Sequence, residues 1–349
     1  MSLELRILKA NHGDSIIVSV EFDNIQKHIL IDGGPSQTFE FQNRSMPLKI
    51  FLNVIKEKNQ KIDLLVLTHV DDDHIGGLLS GFNKLSYLSE LTNEVWFNSG
   101  KLISQHFKQN IESSNFLTLK DNSGSNTSIG QGVKFEDHLT SLNIWSHELI
   151  KAGDEFQKFG CIFKVLSPSI EKLDELLIKW EKEKPDSLTS SSKTDYKQTF
   201  SQLLSYDVFK EDVSIHNGSS IAFILEHEQK SIMFLGDAHP SIIIKSLIDL
   251  GYSKRNKLKL DFLKVSHHGS KANTSEELLS LLDCNNFIIS TDGSRHSLPN
   301  KITLARIIKY FPSANLMFNY PNLINRIFSM EELENAEFSV LECGDMITL

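Results

Sequence analysis

The sequence predicts a layered α/β domain, and three observations carry that prediction. Runs rich in Val, Ile and Leu, of strand length, alternate with longer helical stretches in both halves of the 349-residue chain. Strand after strand stops abruptly at an acidic residue or a histidine, with glycine close behind. The chain is also long enough for one large layered core or two smaller ones, and its 40% hydrophobic and 23% charged content is that of a globular protein.

In chain order, Leu3 to Leu8, Ser15 to Val20 and Lys27 to Ile31 read as strands, joined first by the turn Asn11-His-Gly-Asp-Ser15. The third ends in Asp32-Gly33-Gly34. A helix is predicted over Pro47 to Lys58, and the apolar run from Leu64 is a buried strand that stops at Thr68. Two histidines and three aspartates then fall between His69 and His74, followed by Gly76-Gly77. So many carboxylates repel one another unless something positive sits among them, and imidazole plus carboxylate is a ligand set for a divalent transition metal. An acidic turn that merely caps a helix accounts for Asp73 and for neither histidine.

A helix is predicted from Gly77 to Leu88 and a strand near Glu94-Val-Trp-Phe97. From Gly100 to about Asp207 the pattern blurs, and this region reads as partly an insertion that could overhang the site and select substrate. Within it, Asp154 to Pro168 suggests a hairpin and Ile170 to Lys184 a helix, while Asp121 to Ser128 and Ser187 to Thr194 read as loops. The pattern then returns. Strands over Ser219 to Glu226, Ser231 to Leu235, Leu260 to Val265 and Phe287 to Ser290 lead into Asp237, His267-His268 and, after the last, His296. Helices are predicted to Leu250, to Leu282, and from Pro299 to Tyr310, with terminal strands from Asn315 to Leu349.

The composition limits what else the chain can be. The N-terminus lacks the basic and apolar regions of a signal peptide, no run reaches the roughly 18 residues of a membrane span, and a cytoplasmic protein is expected. Cys161, Cys284 and Cys343 are scattered, which argues against a thiolate zinc site. The net charge of −9 disfavours a broad nucleic-acid surface but permits a cleft whose cations reverse the local field.

The run His69-x-Asp71-x-Asp73-His74-Ile-Gly-Gly resembles the metal motif of the metallo-β-lactamase superfamily, with Asp71 where that motif has histidine. Together with His12-Gly-Asp-Ser15, Leu30-Ile-Asp-Gly-Gly34, Leu235-Gly-Asp237, His267-His-Gly-Ser270 and His296 before Pro299, it is similar to the ComEC-like hydrolase domain as a stand-alone protein. The resemblance spans roughly residues 3 to 310 and has no counterpart for Gly100 to about Asp154. It implies a single four-layer αββα sandwich over residues 1–349 with two divalent ions, Zn²⁺ or Mn²⁺. His69 and Asp71 would hold the first ion, with Asn217 or the neighbouring His216 as third ligand. Asp73 and His74 would hold the second, completed by His267 or His268, and Asp237 would bridge both. Asp32 would orient ligands or the attacking water from beneath.

The implied chemistry is hydrolysis by a water activated between the ions, with phosphodiesters of nucleic acid as the expected substrate. His296 and Lys271, on loops after late strands, are candidates for protonating the leaving group or holding a phosphate. The competing expectations are hydrolysis of a small ester, lactone or phosphorylated metabolite, and a metal-bearing effector or regulatory subunit beside a protein partner.

Overall fold

Two β-sheets packed face to face form the centre of this computed structural model, which describes residues 3–84, 87–107, 127–180 and 194–349. The first sheet contains β1 (Leu3–Ile7), β2 (Ile16–Phe22), β3 (Ile25–Ile31), β4 (Ile62–Val66) and β5 (Val95–Trp96) in that spatial order. The C-terminal Ile347–Thr348 pairs on the outside of β1. Neighbours β1, β2 and β3 run antiparallel, and β3, β4 and β5 run parallel.

The second sheet has eight strands. From one edge these are β6 (Glu155–Lys158), β7 (Cys161–Ser167), β8 (Ala222–His227), β9 (Lys230–Phe234), β10 (Phe262–Lys264), β11 (Asn286–Ile289), β12 (Asn315–Phe318) and β13 (Ser339–Glu342). Pairing is antiparallel up to β9 and parallel beyond it.

The period of two along each strand creates the layers. Val18, Val20, Ile29, Ile31, Leu64 and Val66 point inward and meet Phe163, Phe223, Leu225 and Phe234 of the other sheet. Their alternates Ile17, Leu30 and Leu65 point outward and are covered by Leu48, Leu52 and Ile55 of α1 (Pro47–Glu57) and by Ile75, Leu78 and Phe82 of α2 (Asp72–Asn83). On the far side, Ile224, Met233, Leu263 and Phe287 pack against Ile243 and Leu247 of Pro240–Asp249 and Leu304 and Ile307 of Lys301–Tyr310. The result is the αββα metallo-β-lactamase sandwich.

Several boundaries differ from the sequence reading. The helix expected from Gly77 begins at Asp72, inside the acidic run, because its glycines pack rather than break it. A Cβ on Gly77 would lie 2.0 Å from Gly33 O, and one on Gly33 would lie 2.6 Å from Leu78 N, so the two Gly-Gly pairs interlock. The Lys301–Tyr310 helix starts past Pro299, where the Asp195 carboxylate accepts from the N–H groups of Lys301 and Ile302. The helix expected to reach Leu282 is Glu276–Ser280, and Leu282–Cys284 instead pairs with Leu258–Leu260. Short helices at Ile324–Ile327 and Met330–Glu334 interrupt the expected C-terminal strands.

Within the blurred region, the hairpin β6–β7 is an integral edge of the second sheet, so that stretch is sheet and not cover. It also contains helices at Gly100–Phe107, Ser128–Leu142 and Ile170–Trp180. Most of the expected loops at Asp121 to Ser128 and Ser187 to Thr194 lie outside the described residues. Among the described residues, no helix is long and apolar enough to cross a membrane.

Candidate metal centre

One rim of the sandwich collects the strand-end residues of both sheets. Asp32 follows β3, His69 follows β4, Asp237 follows β9 and the His267-His268 pair follows β10. Asp71 occupies the N-cap position of α2, yet its side chain accepts no helix N–H. It is turned aside: Oδ1 lies 2.7 Å from His216 Nδ1, and Oδ2 lies 3.7 Å from His69 Nε2. A residue placed to cap but used elsewhere marks a competing demand on the carboxylate.

Asp237 is the centre of the cluster. Its Oδ2 lies 3.7 Å from His69 Nε2 and 3.6 Å from His267 Nε2, while its Oδ1 lies 3.5 Å from His74 Nε2. Asp73 extends the second side, with Oδ1 at 4.0 Å from His74 Nε2 and Oδ2 at 3.5 Å from His268 Nε2. These separations exceed hydrogen-bond length. They approach the roughly 3.3–3.4 Å between two ligands of one tetrahedral ion with bonds of about 2.0–2.1 Å.

The other nitrogen of each imidazole is already held. His74 Nδ1 faces Asp32 Oδ2 at 2.8 Å, and Asp32 also accepts from the backbone N–H and the hydroxyl of Thr68. His69 Nδ1 faces Ser220 Oγ at 3.0 Å, and His268 Nδ1 donates to Ser290 O at 2.9 Å. This arrangement fixes ring orientation and reserves Nε2 for a ligand, the usual outer support of metal-bound histidine.

The residues fit divalent cations by a direct test. Among the described residues, His69 Nε2, His74 Nε2, His268 Nε2 and Asp237 Oδ1 are buried without a hydrogen-bond partner. A protein interior rarely leaves such atoms unsatisfied, since each costs about 1–3 kcal/mol. Here all four face one another. Asp14, His74, Asp237 and His268 also offer ligand atoms within 4.8 Å of one another.

Electrostatics point the same way. Burial opposes charge on His74, but Asp237, Asp32 and Asp73 together hold its pKa well above the ordinary value. His268 is pushed up to about 10 against its burial, chiefly by Asp14. Burial likewise opposes ionisation of Asp71, yet His216 and His69 bring its carboxyl down to about 2. The carboxylates therefore draw protons onto His74 and His268, while burial and the neighbouring His74 hold His69 below its ordinary value; a cation among the carboxylates would meet the same electrostatic demand.

Three expected residues stand elsewhere. Asn217 donates from Nδ2 to Asp212 Oδ2 at 2.7 Å, and the same nitrogen lies 3.3 Å from His267 Nδ1, behind the ligand cluster and not within it. Lys271 is exposed and lines a cavity of about 460 Å³ beside Asp207 and Arg306. His296 is exposed in a left-handed turn with Ser297. Among the described residues, no hydrogen bond or ion pair joins either to the cluster, because loops that follow strands need not turn toward the rim.

The structure adds residues that sequence reasoning passed over. Asp14 is buried, pairs with buried Lys264 at 2.6 Å, and places Oδ1 3.5 Å from His268 Nδ1. Its N–H donates to Asp73 O at 3.2 Å, and a Cβ on Gly13 would lie 2.0 Å from that same oxygen. The turn before β2 therefore seats two second-side residues, Asp73 and His268, at once. A signal existed: a lysine at the end of the apolar run Leu260 to Val265 needs a buried partner. Asp212 and Asn273, which hold His267, carried no such signal.

The fold is the metallo-β-lactamase sandwich, and the cluster around Asp237 is its candidate metal centre. The model of the metallo-beta-lactamase superfamily matches residues 13–143, a span that contains Asp32 and the His69 to His74 run. Among solved structures, the chain is similar to the metallo-beta-lactamase fold protein YhfI from Bacillus subtilis, at 9% identity and a TM-score of 0.40, covering 100% of this chain and 99% of that one. It is similar to Zn²⁺-bound PqqB from Methylobacterium extorquens at 10% identity and a TM-score of 0.45, with 99% of each chain covered. A third is a protein of the metallo-beta-lactamase superfamily from Thermotoga maritima, at 12% identity and a TM-score of 0.36, covering 97% and 98%. No curated protein matches the chain.

Proposed function

We propose that this protein is a metal-dependent phosphodiesterase that acts on nucleic acid. The observation that carries the reading is the division of Asp237, with one oxygen facing His69 and His267 and the other facing His74. A carboxylate so placed between two ligand sets suits a two-ion centre. Bound there, Zn²⁺ or Mn²⁺ would supply Lewis acidity and a water of lowered pKa.

The chain's own residues supply position and charge. Asp71 and Asp73 add one carboxylate to each side, which hardens the ligand set relative to histidine alone and suits Mn²⁺ as well as Zn²⁺. Asp32 and Ser220 fix the rings of His74 and His69. Such a site favours a substrate whose transition state concentrates negative charge on oxygens, as a phosphodiester does. The similarity of His12-Gly-Asp-Ser15 and His267-His-Gly-Ser270 to ComEC-like hydrolases supports nucleic acid in particular.

The net charge of −9 favours a second reading, hydrolysis of a small ester, lactone or phosphorylated metabolite. One experiment separates them: the purified chain, loaded with Mn²⁺ or Zn²⁺, is incubated with labelled single- and double-stranded DNA, RNA, a bis-phosphodiester, a phosphomonoester, a simple ester and a lactone. Chelator-sensitive cleavage of a nucleic acid is expected. Turnover of the non-diester substrates alone supports the second reading, and no diester turnover with both ions bound overturns the first.

A further inference from the structure

We infer that His267 is the third protein ligand of the first ion, in the place for which Asn217 stands in line by sequence. This rests on the two-ion reading above and concerns which side chains divide between the ions.

The second side is complete without His267. Asp73, His74, His268 and Asp237 Oδ1 already face one another there, a full set for a four-coordinate ion. Among the described residues, the first side has His69, Asp71 Oδ2 and Asp237 Oδ2, while the nearby His216 is engaged through Nδ1 with the other oxygen of Asp71. His267 Nε2 lies 3.6 Å from Asp237 Oδ2, the same oxygen that His69 Nε2 faces at 3.7 Å. The two imidazoles therefore converge on one carboxylate oxygen.

The rear of the His267 ring is arranged as for a ligand. Nδ1 donates to Asn273 Oδ1 at 3.0 Å and lies 3.4 Å from Asp212 Oδ2. Asn273 in turn donates to Asp212 Oδ2 and to Asp237 O, tying this support to the shared aspartate. Asn217 belongs to the same outer ring. It donates from Nδ2 to Asp212 Oδ2, the carboxylate beside His267 Nδ1, and so acts on the ring through Asp212.

Backbone geometry explains how adjacent histidines serve different ions. His267 and His268 both adopt left-handed φ, +47° and +53°, an uncommon state for a bulky residue. Their rings end 6.0 Å apart and 73° out of plane, one on each side of Asp237. His267 remains a quarter exposed while His268 is buried, so the first ion is the more open of the two.

Metal binding to the full-length chain, stripped with chelator and titrated with Zn²⁺ by equilibrium dialysis, tests the assignment without reference to turnover. Wild type should bind two equivalents. His267→Gln should keep one at wild-type affinity and weaken the other more than about 100-fold, beyond the loss expected for an outer partner. Asn217→Ala should keep both, the weaker within about 100-fold. Asp212→Asn, which leaves His267 in place, should weaken the same equivalent by roughly 10- to 100-fold. With Co²⁺, His267→Gln should change the visible absorption of one ion only, and circular dichroism of the stripped proteins checks folding. Two wild-type-affinity equivalents in His267→Gln, or loss of the same equivalent in Asn217→Ala, overturn the assignment alone. A wild type that binds no ion overturns the two-ion reading together with it.

Discussion

His74 turns its Nδ1 toward Asp32 Oδ2 at 2.8 Å, and that contact decides where the opposite nitrogen points. Asp32 is itself locked by two bonds from Thr68, at 2.8 and 2.7 Å. The aspartate at the end of β3 thus transmits the rigidity of the sheet to a ligand on α2. Asp32→Asn should keep the fold and lower affinity for one ion by roughly 10- to 100-fold, measured by competition with a chromophoric chelator. Unchanged affinity for both ions would show that the ring needs no such support.

The interlocked glycines give a prediction about stability. A Cβ on Gly77 meets the backbone oxygen of Gly33, which cannot step aside as a side chain could. Gly77→Ala should destabilise the protein by about 1–3 kcal/mol or more, read from urea unfolding of the metal-free form. Gly251→Ala, where nothing lies within 4 Å, should cost less through crowding and is strained only by its φ of +88°.

Protons and metal compete for the same nitrogens. In the metal-free protein His268 is held up to about 10, so it is protonated at pH 7.5 and must lose that proton to bind an ion. Calorimetry in buffers of different ionisation enthalpy should therefore show net proton release on Zn²⁺ binding. Binding should also weaken as pH falls. No proton release at pH 7.5 would contradict the charge state argued for the site.

The same shift has a consequence for folding without metal. A histidine raised above its ordinary 6.5 in the folded state contributes stability that is complete below about 6.5 and lost as pH rises toward about 10. Asp71, brought down to about 2 from 3.8, contributes stability present above about 3.8 and lost as pH falls through about 2. The metal-free protein should accordingly lose stability from both ends of the range, in denaturant titrations from pH 2 to pH 10. A flat profile above pH 6.5 would remove His268 from the account.

Much of the fold and half of the site were legible because strand ends announce themselves. Apolar runs that stop at Asp32, His69 and Asp237 can be read in one dimension, and a rigid sheet brings them to one rim. The boundary of α2 was misplaced because Gly76 and Gly77 look like breakers until Gly33 and Gly34 are seen against them. The place of Asn217 is not legible for a different reason: the direction of its amide is set by Asp212, which arrives from an irregular segment. Lys271 and His296 sit on the right loops, but a loop's position in sequence does not fix the direction of its side chains. The opposed rings of His267 and His268 arise from two consecutive left-handed residues, which neither propensity nor periodicity encodes.

The central claim is that Asp237 joins two ions in one site. Metal analysis of purified wild type and Asp237→Ala, side by side after dialysis against excess Zn²⁺, tests it most directly. Two ions per chain are expected in the wild type and neither retained tightly in the variant, with the fold preserved. A variant that still holds both ions tightly, or a wild type that holds none, would contradict it.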